Sequence, residues 1–209
     1  MRTATVEYKV YKYNELSDKA KEKVREWYLE GREAFVFTEI CEEDLDNLFG
    51  KNDLKVQYSL GYCQGDGFNI YGKVRAHSIF NCLEKKYAGT QLEEFEGVLT
   101  AKEKATILHY AEECGDIELP INNRYCYCIA RYADIADDWE YQLENYSGYK
   151  NINKEVLEKF ESMVHGIFET LCKSYEEQGY EYFYEIEEED LEEMCEANGY
   201  EFLEDGTVF

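Results

Sequence analysis

Three histidines, eight cysteines and a large excess of carboxylates are the side chains of this 209-residue sequence that could carry chemistry. His77, His109 and His165 are far apart, and none belongs to an H-x-x-x-H pair or another metal-ligand spacing. A Cys–His nucleophilic pair is open to assembly in space, but the spacing selects no particular pair. Cys126-Tyr127-Cys128 is not a C-x-x-C. In a strand its two sulfurs share one face, which suits small buried hydrophobes better than a metal or redox centre. Gly65-Asp66-Gly67 has the glycines of a phosphate cradle, yet no Lys-Ser/Thr follows and no helix opens behind it. It reads as a hairpin turn, with Asp66 at an exposed tip open to a cation. EF-hand spacing is absent. These residues predict no catalytic centre, no cofactor and no resident metal.

The carboxylates are the remaining signal. There are 46 acids against 22 bases, a formal charge of −24. Acidic chains are often disordered, but this one is 44% hydrophobic and holds 20 Tyr, 11 Phe and 2 Trp, enough apolar surface to offset the entropy of ordering. Such a charge repels nucleic acid and anionic membranes and attracts basic protein surfaces. No run approaches the ~18 apolar residues of a membrane span. Residues 1–10 contain neither an apolar core nor a cleavage-site pattern, which predicts a cytoplasmic protein with reduced thiols, most of them core-filling.

The acids are unevenly placed. After Lys173 there is no Lys or Arg, while Glu176, Glu177, Glu181, Glu185, Glu187, Glu188, Glu189, Asp190, Glu192, Glu193, Glu196, Glu201, Glu204 and Asp205 follow. Tyr175, Tyr180, Tyr182, Phe183 and Tyr184 stand among them, side chains that offer apolar area and, in the tyrosines, a polar tip. A solvated helix face is the bland explanation of such a run. Magnitude argues for more. A globule of this length has a radius of gyration of ~17 Å and so spans ~43 Å. Duplex DNA of that length carries ~25 phosphates, close to the net charge of the whole chain. The partner-binding surface is therefore assigned to Glu176, Glu177, Glu181, Glu185, Glu187, Glu188, Glu189, Asp190, Glu192 and Glu193, with Tyr180 and Tyr182.

The elements that must position these groups follow from periodicity. Thr3–Tyr13 alternates and predicts a strand. Asn14 or Ser17 starts a helix whose stripe is Ala20, Val24, Trp27 and Tyr28, and a second helix runs from about Thr38 through Leu48 to Gly50. Leu54–Leu60 and Phe68–Val74 predict an antiparallel hairpin about the Gly61–Gly67 connector. Residues 78–87 read as helix. Thr100 and Glu103 form a capping box for a helix through Cys114. Tyr125–Tyr132 reads as a strand, and Trp139–Leu143 as a strand or a helical turn. Asn153 caps a long helix bearing Val156, Leu157, Phe160, Val164, Phe168 and Leu171. Glu188–Ala197 is a short helix stopped at Asn198-Gly199, and Asp205-Gly206 turns a small terminal hairpin. The fold class is α+β: a small antiparallel sheet with helices packed on it and a helical, acidic C-terminal part. One compact domain is expected over 1–209, within which a sheet-containing part (1–150) and a helical acidic part (151–209) are distinguishable.

Three stretches resemble a loose group of small acidic proteins encoded by bacteriophages and prophages, some labelled antitoxin-like. They are Tyr11-Lys-Tyr-Asn-Glu-Leu-Ser-Asp-Lys-Ala-Lys-Glu-Lys-Val-Arg-Glu-Trp-Tyr28, Tyr58-Ser-Leu-Gly-Tyr-Cys-Gln-Gly-Asp-Gly67 and Asn198-Gly-Tyr-Glu-Phe-Leu-Glu-Asp-Gly206. The resemblance implies a mobile-element origin in a bacterial cytoplasm and brings no catalytic residues with it. Joined to the charge, it leads to the expectation of an inhibitor of a host defence nuclease, of the anti-CRISPR or antirestriction type. Such an inhibitor occupies a basic nucleic-acid-binding surface as a DNA mimic. The alternatives are an antitoxin-like or regulatory protein binder without mimicry, and a metal-dependent hydrolase acting on nucleotides.

Overall fold

The computed structural model describes residues 1–2, 6–85, 92–121, 127–128 and 133–209. They divide into two compact units, residues 37–178 and residues 1–36 with 179–209. Both boundaries fall inside helices: α2 (Ala34–Phe49) and α6 (Lys154–Tyr184).

The larger unit is built on a three-stranded antiparallel sheet, β1 (Lys55–Ser59), β2 (Gly67–Val74) and β3 (Ile117–Leu119), in the order β1-β2-β3. The predicted hairpin is present, with Val56 opposite Ile70 and Tyr58 opposite Phe68. Gly72, at φ +113°, lies where an added Cβ would meet the Asp53 carbonyl oxygen at 2.2 Å, so that turn of β2 excludes any side chain. α2 begins four residues before the predicted start and places Phe37, Cys41, Leu45 and Leu48 on one buried face at spacings of four, four and three. α3 (Ala76–Lys85) matches the expected helix, and residues 86–87 of that expectation lie outside the described residues.

α4 (Ala101–Cys114) opens with the predicted capping box. Glu103 N donates to Thr100 Oγ1 at 3.3 Å, and Thr100 N donates to Glu103 Oε2 at 2.7 Å. The Thr100 amide, the Thr100 hydroxyl (2.7 Å from Oε2) and Lys159 at 3.0 Å hold the Glu103 carboxyl down to about 2. The stabilisation this carboxylate gives is therefore present above its ordinary titration range and is lost as pH falls through about 2. Thr100→Ala removes the cap and is expected to lower stability by about 1 kcal/mol, read as a shift of the urea midpoint at unchanged slope.

Trp139–Leu143, left open between strand and helix, lies in α5 (Ile135–Asn145), with Trp139 and Leu143 buried one turn apart. α6 starts as expected, Val156 N donating to Asn153 Oδ1 at 3.4 Å. It buries Val156, Leu157, Phe160, Met163, Val164, Ile167, Phe168, Leu171, Cys172 and Tyr175. Aromatic rings make much of this core: Phe49 stacks on Phe168 at 5.4 Å, and Phe160 meets Phe80 and Trp139. The predicted strand Tyr125–Tyr132 falls largely outside the described residues, and its two described members, Tyr127 and Cys128, are in no strand.

The smaller unit joins sequence ends. α1 (Asp18–Glu30) is capped by Ser17, whose Oγ accepts from Ala20 N at 3.4 Å. α7 (Glu188–Asn198) stops at Gly199 as its Asn-Gly signal predicts. Tyr13, Leu16, Ala20 and Val24 pack with Leu191, Cys195 and Phe202 in one buried cluster. The expected N-terminal strand is corrected. Residues 6–10 form none, Thr3–Thr5 lie outside the described residues, and Tyr11 makes one antiparallel bridge to Phe202. Alternation alone does not make a strand. Val6 and Tyr8 remain more than 60% exposed, and a 3₁₀ turn at Tyr13–Glu15 ends the extended run. The small terminal hairpin is present: Phe202 bridges Val208, Leu203 N donates to the Thr207 carbonyl at 2.7 Å and Phe209 N to the Glu201 carbonyl at 2.9 Å. Its Gly206 lies against α1, where a Cβ would meet the Ala20 carbonyl oxygen at 2.3 Å.

Candidate acidic interface

α7 shows how the sequence directs its acids outward. Leu191 and Cys195, four residues apart, are buried and fix the inner face. Glu189, Glu193 and Glu196 then form an exposed row with spacings of four and three, ~10 Å long at 1.5 Å rise per residue. Glu188, Glu189 and Asp190 occupy the first turn, where negative charge complements the helix dipole. The acidity of this turn is thus locally favourable, while the Glu189/Glu193 pair repels by a few tenths of a kcal/mol.

At the end of α6 the sign is reversed. Glu181 and Glu185 lie beside the negative end of that helix dipole, and Arg32 relieves it. Its Nη1 donates to the carbonyl oxygens of Tyr182 and, at 3.0 Å, Glu185. The guanidinium also lies 5.3 Å from the Tyr28 ring centre and 5.2 Å from that of Tyr182. Sequence reading missed Arg32; nothing in its spacing marks it as the cap of a helix some 150 residues away.

Not every acid of the predicted set is equivalent. Glu188 is paired with Lys21 at 2.7 Å, which holds its carboxyl below the usual range. Further out in the chain, Asp205 is paired with Lys23 at 2.8 Å, and Glu201 lies 3.5 Å from Lys12. Arg25 donates to the Ile186 carbonyl at 2.9 Å. Bases of the N-terminal segment are thus already committed to specific residues of the C-terminal one. Glu181, Glu185, Glu187, Glu189, Asp190 and Glu193 are exposed, and Glu192 is half-buried. Glu196, outside the predicted set, completes the outer row; the seven-residue interval from Glu189 is the signal that finds it.

The aromatics separate likewise. Tyr175 is buried and donates to Asp44 Oδ2 at 2.5 Å, a core contact. Tyr182 is half-buried against Arg32, and Tyr180 lies 6.1 Å from Tyr184. Tyr184 and Met194 are the exposed apolar groups near the acids.

Residues 179–209 carry twelve acids and no Lys or Arg, whereas residues 1–36 carry eight bases and seven acids. No family model, no curated protein and no solved structure matches this chain. The chemistry must therefore be read from the groups themselves.

Glu176 and Glu177 belong to the larger unit. Glu177 is exposed, and Glu176 is half-buried; burial first, then the nearby Asp66 charge, raises its carboxyl above the usual range. Asp66 itself is a loop staple. Its Oδ2 accepts from Gly61 N at 2.7 Å and Cys63 N at 2.8 Å, and its Oδ1 from Ser59 Oγ at 2.9 Å and the Cys63 thiol at 3.1 Å. Those donors, the Cys63 amide foremost, hold the carboxyl far below its ordinary value and use the oxygens a cation would need. Asp66→Ala is expected to lower the thermal midpoint at neutral pH. Because the folded-state value is depressed, the gap from wild type should close as pH falls below the usual carboxylate range; a gap constant with pH would refute the staple.

The histidines are each engaged. His77 meets Asn81 at 3.0 Å, His109 meets the Tyr149 hydroxyl at 2.7 Å, and His165 Nε2 donates to the Ala133 carbonyl at 2.9 Å. Among the described residues no group of three or more His, Cys, Asp or Glu is placed to hold a metal, and no helix is long and apolar enough to cross a membrane.

Proposed function

We propose that the chain is an acidic inhibitor that binds a basic, nucleic-acid-binding host protein, its carboxylates standing where phosphates would otherwise lie. The observation that carries this reading is the outward row on α7, within a 31-residue segment without a single base; Lys21, Lys23 and Arg32 meet Glu188, Asp205 and the Glu185 carbonyl of that segment rather than the row itself. Outward acids suit a surface that meets Lys and Arg; a hydrolase would need them converging in a pocket. Charge complementarity accelerates encounter, and exposed apolar groups such as Tyr184 and Met194 slow release. A phage or prophage origin and a CRISPR or restriction nuclease as target belong to the same proposal and rest on the three resembling stretches.

Affinity capture from bacterial lysate, with and without excess duplex DNA or heparin, tests it. A captured nucleic-acid-binding protein released by the competitor supports mimicry. A partner indifferent to the competitor replaces mimicry by a plain, antitoxin-like binder. Absence of any partner overturns the binding reading and returns the hydrolase.

A further inference from the structure

Residues 6–10 of the smaller unit lead into the Tyr11–Phe202 bridge, and all five are exposed. Among the described residues, none exchanges a backbone hydrogen bond with this run. Tyr11 sets the phase of the free edge, because its N–H and C=O both turn to Phe202, at 2.8 and 3.0 Å. Along an extended chain the backbone groups of alternate residues turn to opposite edges, so those of Val6, Tyr8 and Val10 turn away from Phe202. The same three side chains share one face, opposite Glu7 and Lys9. That face is apolar and open to solvent: Val6 is 65% and Tyr8 61% exposed, and the Phe209 ring, 66% exposed, extends it 5.9 Å from the ring of Tyr8. An unpaired edge with an alternating apolar face is a template for a further strand.

We propose that this edge is a self-association surface, on which residues 6–10 of a second copy pair antiparallel about a twofold axis at Tyr8. Val6 then faces Val10 of the other copy, Tyr8 faces Tyr8, and Glu7 faces Lys9, each unlike pair occurring twice by symmetry. Two independent conditions select this register. The outward backbone groups belong to even-numbered residues, so each must pair with an even-numbered residue, which puts the axis at a residue and not between two. Charge then decides which residue. An axis at residue 7 sets Glu7 against Glu7, and one at residue 9 sets Lys9 against Lys9; only the axis at residue 8 joins opposite charges. The net charge of −24 on each copy does not forbid the contact. Residues 1–36 hold eight bases and seven acids, and the nearby Glu201 and Asp205 are paired with Lys12 and Lys23. Exposed charges further off than the ~8 Å Debye length are largely screened at physiological salt. The α7 row takes no part.

Sedimentation velocity of the full-length protein over a concentration series, under reductant, tests this pairing. Expected is a reversible monomer–dimer equilibrium. Glu7→Lys and Lys9→Glu each convert both ion pairs to like-charge pairs and should weaken the dimer about tenfold. The double variant restores opposite charges and should recover the wild-type dissociation constant. Tyr8→Pro removes an outward N–H at the axis and should abolish the dimer. These positions lie outside the buried core, so thermal midpoints should stay at the wild-type value and show that the variants fold. A chain that is monomeric at every concentration overturns the proposal and leaves the edge to a strand of another protein. A dimer indifferent to Tyr8→Pro, or one that the double charge exchange fails to rescue, overturns it as well.

Discussion

Reversing Glu185, Glu189, Glu193 and Glu196 to lysine will abolish capture of the basic partner and leave the thermal midpoint near that of the wild type. All four are exposed, and none of their carboxylates contributes a hydrogen bond or ion pair to the described structure. The change swings the charge of this face by eight units, and association steered by charge slows by about 10–10³-fold when the field is lost. The pair at 189 and 193 stays like-charged after reversal, so its repulsion is unchanged. The one small cost to the fold is lysine in the first turn of α7, which opposes the dipole by about 0.3–1 kcal/mol. Glu188→Lys is the instructive contrast. It faces Lys21 at 2.7 Å, so reversal sets two cations together and destabilises the α1–α7 packing before any partner is met. Binding that survives the fourfold reversal, or wild-type binding indifferent to added salt, removes charge on this face as the driver.

That choice of residues marks where sequence and structure part. The acidic excess after Lys173 is readable from the chain alone, and so are α7 and its Asn-Gly stop. What no periodicity reveals is which acids are already paired. Lys21, Lys23 and Lys12 reach Glu188, Asp205 and Glu201 across more than 160 residues, and residues 1–36 join residues 179–209 with nothing local to announce it.

Local signals fared according to how local their physics is. The Thr100/Glu103 box, the Asn153 cap and the glycine-bounded hairpin each involve bonds within a few residues, and each is present. The run before Tyr13 has equal alternation, but a strand also needs a partner backbone, and residue 202 supplies one bridge only. α6 shows the opposite failure. Its apolar stripe is clear to Leu171, and it continues through Tyr184 across a stretch where tyrosines and glutamates blur the pattern. Arg32, by taking the carbonyls at that end, relieves a terminus its own side chains disfavour.

Phe202→Ala will loosen the smaller unit selectively, at a cost of about 3–5 kcal/mol, the usual range for emptying a buried phenylalanine site. Phe202 is wholly buried within a cluster of only seven buried residues, so few neighbours are available to collapse into the cavity. Its backbone exchanges hydrogen bonds with Tyr11 at 2.8 and 3.0 Å, and its ring meets Trp27 edge-on. Losing the ring therefore weakens the attachment of the N-terminal segment and of α7 together. Cys195, 2% exposed in the same cluster and with its thiol raised by burial, reports the event directly. It should change from slow to rapid labelling by a thiol reagent, while Cys41 in the larger unit, pushed up to about 12 by burial, stays protected. Simultaneous labelling of Cys41 and Cys195 would mean that the two units unfold as one; unchanged protection of Cys195 would mean that Phe202 does not hold α7 in place. With selective labelling, partner capture should fall even though every carboxylate is still present, because the outer row depends on Leu191 and Cys195 remaining inside.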